Sequence, residues 1–250
     1  MVTSGSPGLS QSGASQRGCV IIPALNEGRR IANVVRRVCE RVATVIVIDD
    51  GSRDDTSREA RAAGAVVLRH EINRGKGEAL LTGFRHAREQ GFDYVITMDG
   101  DGQHDPADLP RFVDAYLSTG TPVLVGNRMA DTERMPLVRC LTNRFMSGLL
   151  SREMGQRVPD TQCGYRLFRS DVYPLAATES ARFAAESEVL LQLSDQGVQI
   201  GSVPVTTIYG DEKSKINPFR DTIRFFSMLR RYRRKKRAAR QPGCHPDISP

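Results

Sequence analysis

The feature that most constrains this chain is an alternation of two patterns. Unbroken apolar runs, CVIIP at 19–23, VIVI at 45–48, AVVL at 65–68, YVITM at 94–98 and VLV at 123–125, are separated by stretches with helical spacing. A strand that is apolar at every position is buried on both faces, which is the mark of a parallel sheet covered by helices. Ile31, Val34, Val35 and Val38 recur on one helical face. Residues 54–63 read as a second helix capped by Asp54 or Asp55. A third spans 75–90 with Leu80, Leu81 and Phe84 inward, and a fourth spans 109–117. The expected class is α/β, a mostly parallel central sheet with helices on both faces, with no internal repeat.

Ligands of such sheets collect beyond the carboxyl ends of the strands. Each apolar run here ends in polar or glycine-rich residues: Pro23-Ala24-Leu25-Asn26-Glu27, Asp49-Asp50-Gly51-Ser52, Asn73-Arg74-Gly75-Lys76-Gly77, Asp99 to Asp105, and Gly126-Asn127-Arg128. Asp99 and Asp101 stand one residue apart with Gly100 between them. At a partly buried strand end, two such carboxylates repel unless a cation lies between them. An oxygen-seeking divalent ion, Mg²⁺ or Mn²⁺, would relieve the repulsion and leave room for substrate phosphate. The plain alternative is a solvated Asp-Gly turn. The Asp49-Asp50 pair suits either a base or ribose, or the start of the next helix. Residues 73–77 offer a cation and backbone amides to a phosphate, although no GxxxxGK[ST] motif is present.

Composition bounds the classes. The chain has 250 residues, 39% hydrophobic and 26% charged, which suits one large globular domain. No run approaches the ~18 apolar residues of a membrane span. Residues 1–17 are small and polar and read as a disordered leader, not a signal peptide. Five cysteines form no CxxC pair, and with four histidines they give no zinc spacing, so free thiols in a reducing cytosol are expected. The net charge of +7 is concentrated in RRYRRKKRAAR at 230–240, and the rest is close to neutral. That run holds one aromatic, Tyr232, and follows no nucleic-acid module, so a nucleic-acid partner is not expected.

The ordered set VIIPALNEG, VIVIDDGSRDDT, NRGKGEALLTGF, MDGDGQHDP, GNR, DTQCGYRLFR and VYPLAA resembles the family-2 glycosyltransferases. The nearest branch in appearance is the dolichol-phosphate mannose synthases and related polyprenyl-phosphate glycosyltransferases. The resemblance runs from about Cys19 to Arg230. It implies the GT-A fold, a nucleotide-sugar donor such as GDP-mannose or UDP-glucose, a divalent metal, and inversion at the anomeric carbon. By position it implies that Pro23, Ala24, Asn26, Glu27 and Asp50 hold the nucleotide, with Lys76 on the donor side. Asp99, Asp101 and Gln103 are the implied metal ligands, and Gly100 takes the place of a small residue, often Ala, in relatives.

The same resemblance makes Asp101, Arg128 and Asp160 the residues expected to carry the reaction, Asp160 as base or orienting group beside the acceptor. Arg128, Arg139, Arg144, Lys213 and Lys215 fall where relatives hold the acceptor phosphate. A lipid phosphate is already anionic and needs no strong base, whereas a hydroxyl acceptor would need one. Relatives have Ser-Gly-Phe where this chain has Cys163-Gly164-Tyr165. Glu186 reads as a solvated first-turn carboxylate.

Residues 18–212 are expected to form the catalytic domain, 213–237 an amphipathic basic helix, and 238–250 a flexible tail. Phe219, Ile223, Phe226 and Leu229 or Arg230 share one face of that helix. The face fits an anionic membrane surface, the catalytic domain, or a homodimer or membrane-protein partner. The expected location is cytoplasmic, peripherally on the membrane's cytoplasmic face.

Overall fold

The computed structural model describes residues 16–132, 135–173, 183–208 and 218–240. Its centre is a seven-stranded sheet: β1 (Gly18–Ala24), β2 (Val45–Asp49), β3 (Val66–Arg69), β4 (Tyr94–Thr97), β5 (Val123–Asn127), β6 (Arg166–Arg169) and β7 (Ile200–Pro204). The strand order is β3-β2-β1-β4-β6-β5-β7. β1 pairs parallel with β2 and β4, β2 with β3, and β5 with β7. β6 alone runs antiparallel, between β4 and β5. All five residues of β2 are buried, which is why its sequence shows no alternation.

The helices are α1 (Ile31–Cys39), α2 (Thr56–Ala62), α3 (Lys76–Glu89), α4 (Leu109–Thr119), α5 (Leu137–Met154), α6 (Phe183–Asp195) and α7 (Pro218–Arg240). The chain steps in one direction from β1 through β2 to β3, which puts α1 and α2 on one face, where they touch each other. The chain then turns back across the sheet, so α3 covers β1, β2 and β4 from the other face. Gly83 of α3 lies so close to β1 and β2 that an added Cβ would come within 2.7 Å of Ile21 and 2.9 Å of Ile48. The main core gathers Val20, Ile21 and Ile22 of β1 and Ile46, Val47 and Ile48 of β2, with Phe84, Phe112 and Tyr165 around them.

A second, smaller core lies between the last three helices. Met146 and Leu150 of α5, Leu191 of α6, and Phe225, Met228 and Leu229 of α7 are its buried members. α7 therefore spends an apolar face on the domain. Of the residues expected on one face, Leu229 is buried, while Ile223 and Phe226 stay exposed.

Candidate active site

The first strand-end loops are sewn together by side chains bonding to backbone. Asn26 takes a left-handed conformation, φ +55°, the only non-glycine residue to do so among the described residues. Its N–H donates to Ser52 Oγ and its Oδ1 accepts from Arg53 N–H, both at 2.9 Å. Asp54 accepts from Gly28 N–H at 2.9 Å and from Thr56 N–H at 3.1 Å. It thereby starts α2 and ties it to the loop after β1; Asp55, directly before the helix, makes no capping bond.

Asp50 is buried at the end of β2. Its Oδ1 accepts from Arg74 N–H at 2.9 Å and faces His70 Nδ1 at 2.8 Å, and its Oδ2 accepts from Gly75 N–H at 2.7 Å. The carboxylate thus shapes the 73–75 loop, and it takes two of the amides that the sequence offered to phosphate. Gly51, at φ +77°, lets the two loops meet: an added Cβ would lie 2.7 Å from Asn73 N.

That loop delivers Lys76, the first residue of α3. Its Nζ lies 2.5 Å from Asp99 Oδ1 and also bonds Glu186 Oε1. Burial alone would push the ammonium pKa down, but Asp99 and Glu186 raise it above its ordinary value. Burial opposes ionisation of Asp99 as well, yet Lys76 holds its carboxyl down to about 2. Asp101 Oδ1 accepts from Gln103 N–H at 2.9 Å, folding residues 101–103 into a tight turn. His104 is buried, stacked on Tyr165 at 4.9 Å, and its Nδ1 accepts from Asp99 N–H at 3.2 Å. Burial lowers its pKa, and because Nδ1 accepts, the ring proton sits on Nε2.

The expectation for Glu186 is overturned. It is 6% exposed, because Arg166 reaches across to hold it: Nη1 donates to Glu186 O at 2.8 Å and Nη2 lies 3.5 Å from Oε2. Arg166 also donates to Cys163 O at 2.7 Å and Thr161 O at 2.9 Å, stapling the 160–164 loop to α6. Gly164 passes over the carboxylate cluster, where a Cβ would come within 3.1 Å of both Asp99 Oδ2 and Lys76 Nζ.

On the far side, Arg128 and Asp160 form a buried bidentate pair. Arg128 Nε donates to Oδ2 at 2.7 Å, Nη2 to Oδ1 at 2.9 Å, and its backbone N–H to Oδ2 at 3.2 Å. Gln162 N–H donates to Oδ1 at 3.3 Å. Behind them Ser147 of α5 accepts from Thr161 N–H at 2.9 Å. One turn earlier on that buried face, Asn143 Nδ2 has no hydrogen-bond partner among the described atoms. Arg139 is half-buried and Arg144 exposed on the same helix, while Lys213 and Lys215 lie outside the described residues.

The cluster is therefore continuous from Asp50 through Lys76 and Asp99 to Arg128 and Asp160. The charge of Arg128 is felt at both Asp99 and His104. Asp99, Asp101 and Gln103 are all oxygen donors, the kind a hard divalent cation takes. Among the described residues no group of three or more His, Cys, Asp or Glu side chains could hold an ion, so substrate oxygens would have to complete the set. His104, Asn143, Glu186 and Arg166 were not singled out as site residues. His104 and Arg166 lie inside the quoted motifs MDGDGQHDP and DTQCGYRLFR, but the contacts that matter span the chain.

A carboxylate-bearing site at the carboxyl ends of a mostly parallel sheet accords with the GT-A fold. Residues 19–174 match the model of glycosyl transferase family 2, and the chain belongs to that family. It is 30% identical over 213 residues to the UDP-N-acetylglucosamine–dolichyl-phosphate N-acetylglucosaminyltransferase of Methanococcus voltae, covering 76% of this chain and 85% of that one. It is 31% identical over 207 residues to the undecaprenyl-phosphate mannosyltransferase of Micrococcus luteus, covering 77% and 84%. Among solved structures it resembles the glucosyl-3-phosphoglycerate synthase of Mycobacterium tuberculosis, bound to Mn²⁺, uridine diphosphate and glucosyl-3-phosphoglycerate. There the TM-score is 0.70 at 22% identity, over 92% of this chain and 86% of that one.

Proposed function

We propose that this protein is an inverting, metal-dependent glycosyltransferase that moves a hexose from a nucleotide-diphosphate sugar to a polyprenyl phosphate. The names of the Methanococcus and Micrococcus relatives support the acceptor class. The Mn²⁺ and uridine diphosphate bound in the Mycobacterium structure accord with a metal and a nucleotide donor.

The observation that carries the reading is the commitment of Asp160. Both of its oxygens accept from Arg128, and Oδ1 also from Gln162. A carboxylate with both oxygens already engaged by Arg128 is committed as a hydrogen-bond acceptor and is not free to face a hydroxyl and take its proton. A phosphate acceptor is already ionised, so it needs cations to hold it near an anionic donor and no proton abstraction. We assign Arg128 Nη1 and the unmet donor Asn143 Nδ2 to that phosphate, with Arg139 nearby on α5. Asp160 then orients Arg128, and the neighbouring Thr161 backbone is fixed by Ser147.

Lys76 sets a positive charge beside Asp99, where the donor diphosphate would lie. A divalent ion held by Asp99, Asp101 and Gln103 would supply Lewis-acid stabilisation of the charge gathering on the departing nucleoside diphosphate. An acceptor phosphate oxygen forms its bond to the anomeric carbon from the face opposite the breaking bond, which inverts the centre. Among the described residues no helix is long and apolar enough to cross a membrane.

The test is transfer by the purified protein to a polyprenyl phosphate and to the corresponding polyprenol, with GDP-mannose and UDP-glucose as donors and with or without chelator. Transfer to the phosphate alone, lost on chelation and giving the inverted anomer, is the expected result. Transfer to the alcohol alone would replace this reading with a hydroxyl acceptor, for which Asp160 would have to leave Arg128 and act as base.

A further inference from the structure

Ten large apolar side chains are exposed among the described residues, and six of them share two neighbouring helices. Leu137, Val138, Leu141 and Phe145 line the outward side of α5, with 81%, 68%, 65% and 59% of their surface exposed. Ile223 and Phe226 of α7 are 54% and 44% exposed. The rings of Phe145 and Phe226 lie 6.4 Å apart, so the two stripes form one surface. An apolar patch on this scale marks an interaction site.

The arrangement along α7 indicates what it meets. Phe225, Met228 and Leu229 turn inward to the second core. Arg233 and Lys236 bond Glu153 and Asp195, fixing that side of the helix to the domain. The opposite stripe runs Ile223, Phe226, Arg230, Arg234, Arg237 at steps of three and four, and its three arginines are exposed. Apolar side chains followed along one line by cations match acyl chains bordered by acidic headgroups.

We infer that the joint outward face of α5 and α7 is where this protein rests on an anionic lipid bilayer. α5 stands between that face and the site: its outer side carries Leu141 and Phe145, and its inner side carries Asn143 and Ser147. A lipid anchored in the bilayer would thus present its phosphate on the helix that borders Asp160. The inference rests on the polyprenyl-phosphate reading only for what the surface serves.

The test is flotation of the full chain with phosphatidylcholine vesicles and with vesicles of equal parts phosphatidylcholine and phosphatidylglycerol. Binding should be confined to the anionic vesicles and weaken with salt. Leu141→Glu with Phe145→Glu should lose it by about tenfold or more, and replacing Arg230, Arg234 and Arg237 by Gln should lower it by about tenfold. Both variants should keep wild-type transfer to a short-chain, water-soluble prenyl phosphate. Vesicle binding unchanged in the first variant would overturn the inference, as would a stable dimer in sedimentation that the first variant dissolves, which would give the face to a second copy. Wild-type binding without transfer to any prenyl phosphate would sink the acceptor reading and leave the surface standing.

Discussion

The two sides of the site are built by different means. On the proposed donor side, the loops after β1, β2 and β3 are fixed by Asp49, Asp50 and Asp54 accepting from backbone N–H groups, of Ser52 in the same loop and of Gly28, Arg74 and Gly75 in the loops of the adjacent strands. On the proposed acceptor side, two buried arginines do the organising. Arg128 grips Asp160 across 32 residues of chain, and Arg166 ties the 160–164 loop to α6. Carboxylates that bind amides of the next loop can hold it as soon as β1, β2 and β3 pair. Arginine staples act only once α5, β6 and α6 have come together. The first side is thus set by the pairing of three adjacent strands and the second by the docking of helices around β6.

The largest expected effect falls where the two sides meet. Asp101→Ala should cut transfer by about 10³-fold, roughly 4 kcal/mol, while circular dichroism and melting stay near wild type. Full activity in that variant would remove the metal role of the 99–103 turn. Asp160→Asn should come next, because it leaves a buried guanidinium without its counter-charge, at a cost of about 3 kcal/mol in urea unfolding. It should also raise KM for the acceptor more than for the donor; the reverse split would break the contrast between the sides. Gly51→Ala should cost about 2 kcal/mol, since the added methyl meets Asn73 N and the residue sits at positive φ. Its KM change should fall on the donor.

The smallest effect is a pH dependence. Asp99 is held down to about 2, with Lys76 the chief cause opposing burial. Its stabilising share is therefore present above the ordinary carboxylate range near ~4 and is lost as pH falls toward 2. Lys76→Met should move the acid unfolding midpoint upward in a fluorescence titration. A midpoint that does not move would separate Lys76 from Asp99 energetically.

Legibility followed the same divide. The order of β1 to β5 and the four intervening helices could be read because β1, β2, β4 and β5 are buried on both faces, β3 at the sheet edge still keeps an apolar run, and each helix keeps one apolar stripe. The residues of the five strand ends could be quoted for the same reason: a parallel sheet sends its loops to one edge. After Asn127 the pattern failed. β6 is only four residues long, starts with the buried Arg166, and pairs antiparallel between strands far away in sequence. Glu186 looked like an ordinary charged start of a helix, and nothing near it in the chain announces Arg166 or Lys76 as its partners.

The sequence by itself determined the α/β class, the family, and the acidic turn at 99–103, because hydrophobic period and strand-end chemistry are properties of neighbouring residues. Only the tertiary structure decided that Asp50 serves the 73–75 loop, that Asp160 belongs to Arg128, and that α7 turns one face inward and leaves another beside α5. Those outcomes depend on which groups meet in a low-dielectric interior, where a buried charge must find its partner wherever the fold puts it.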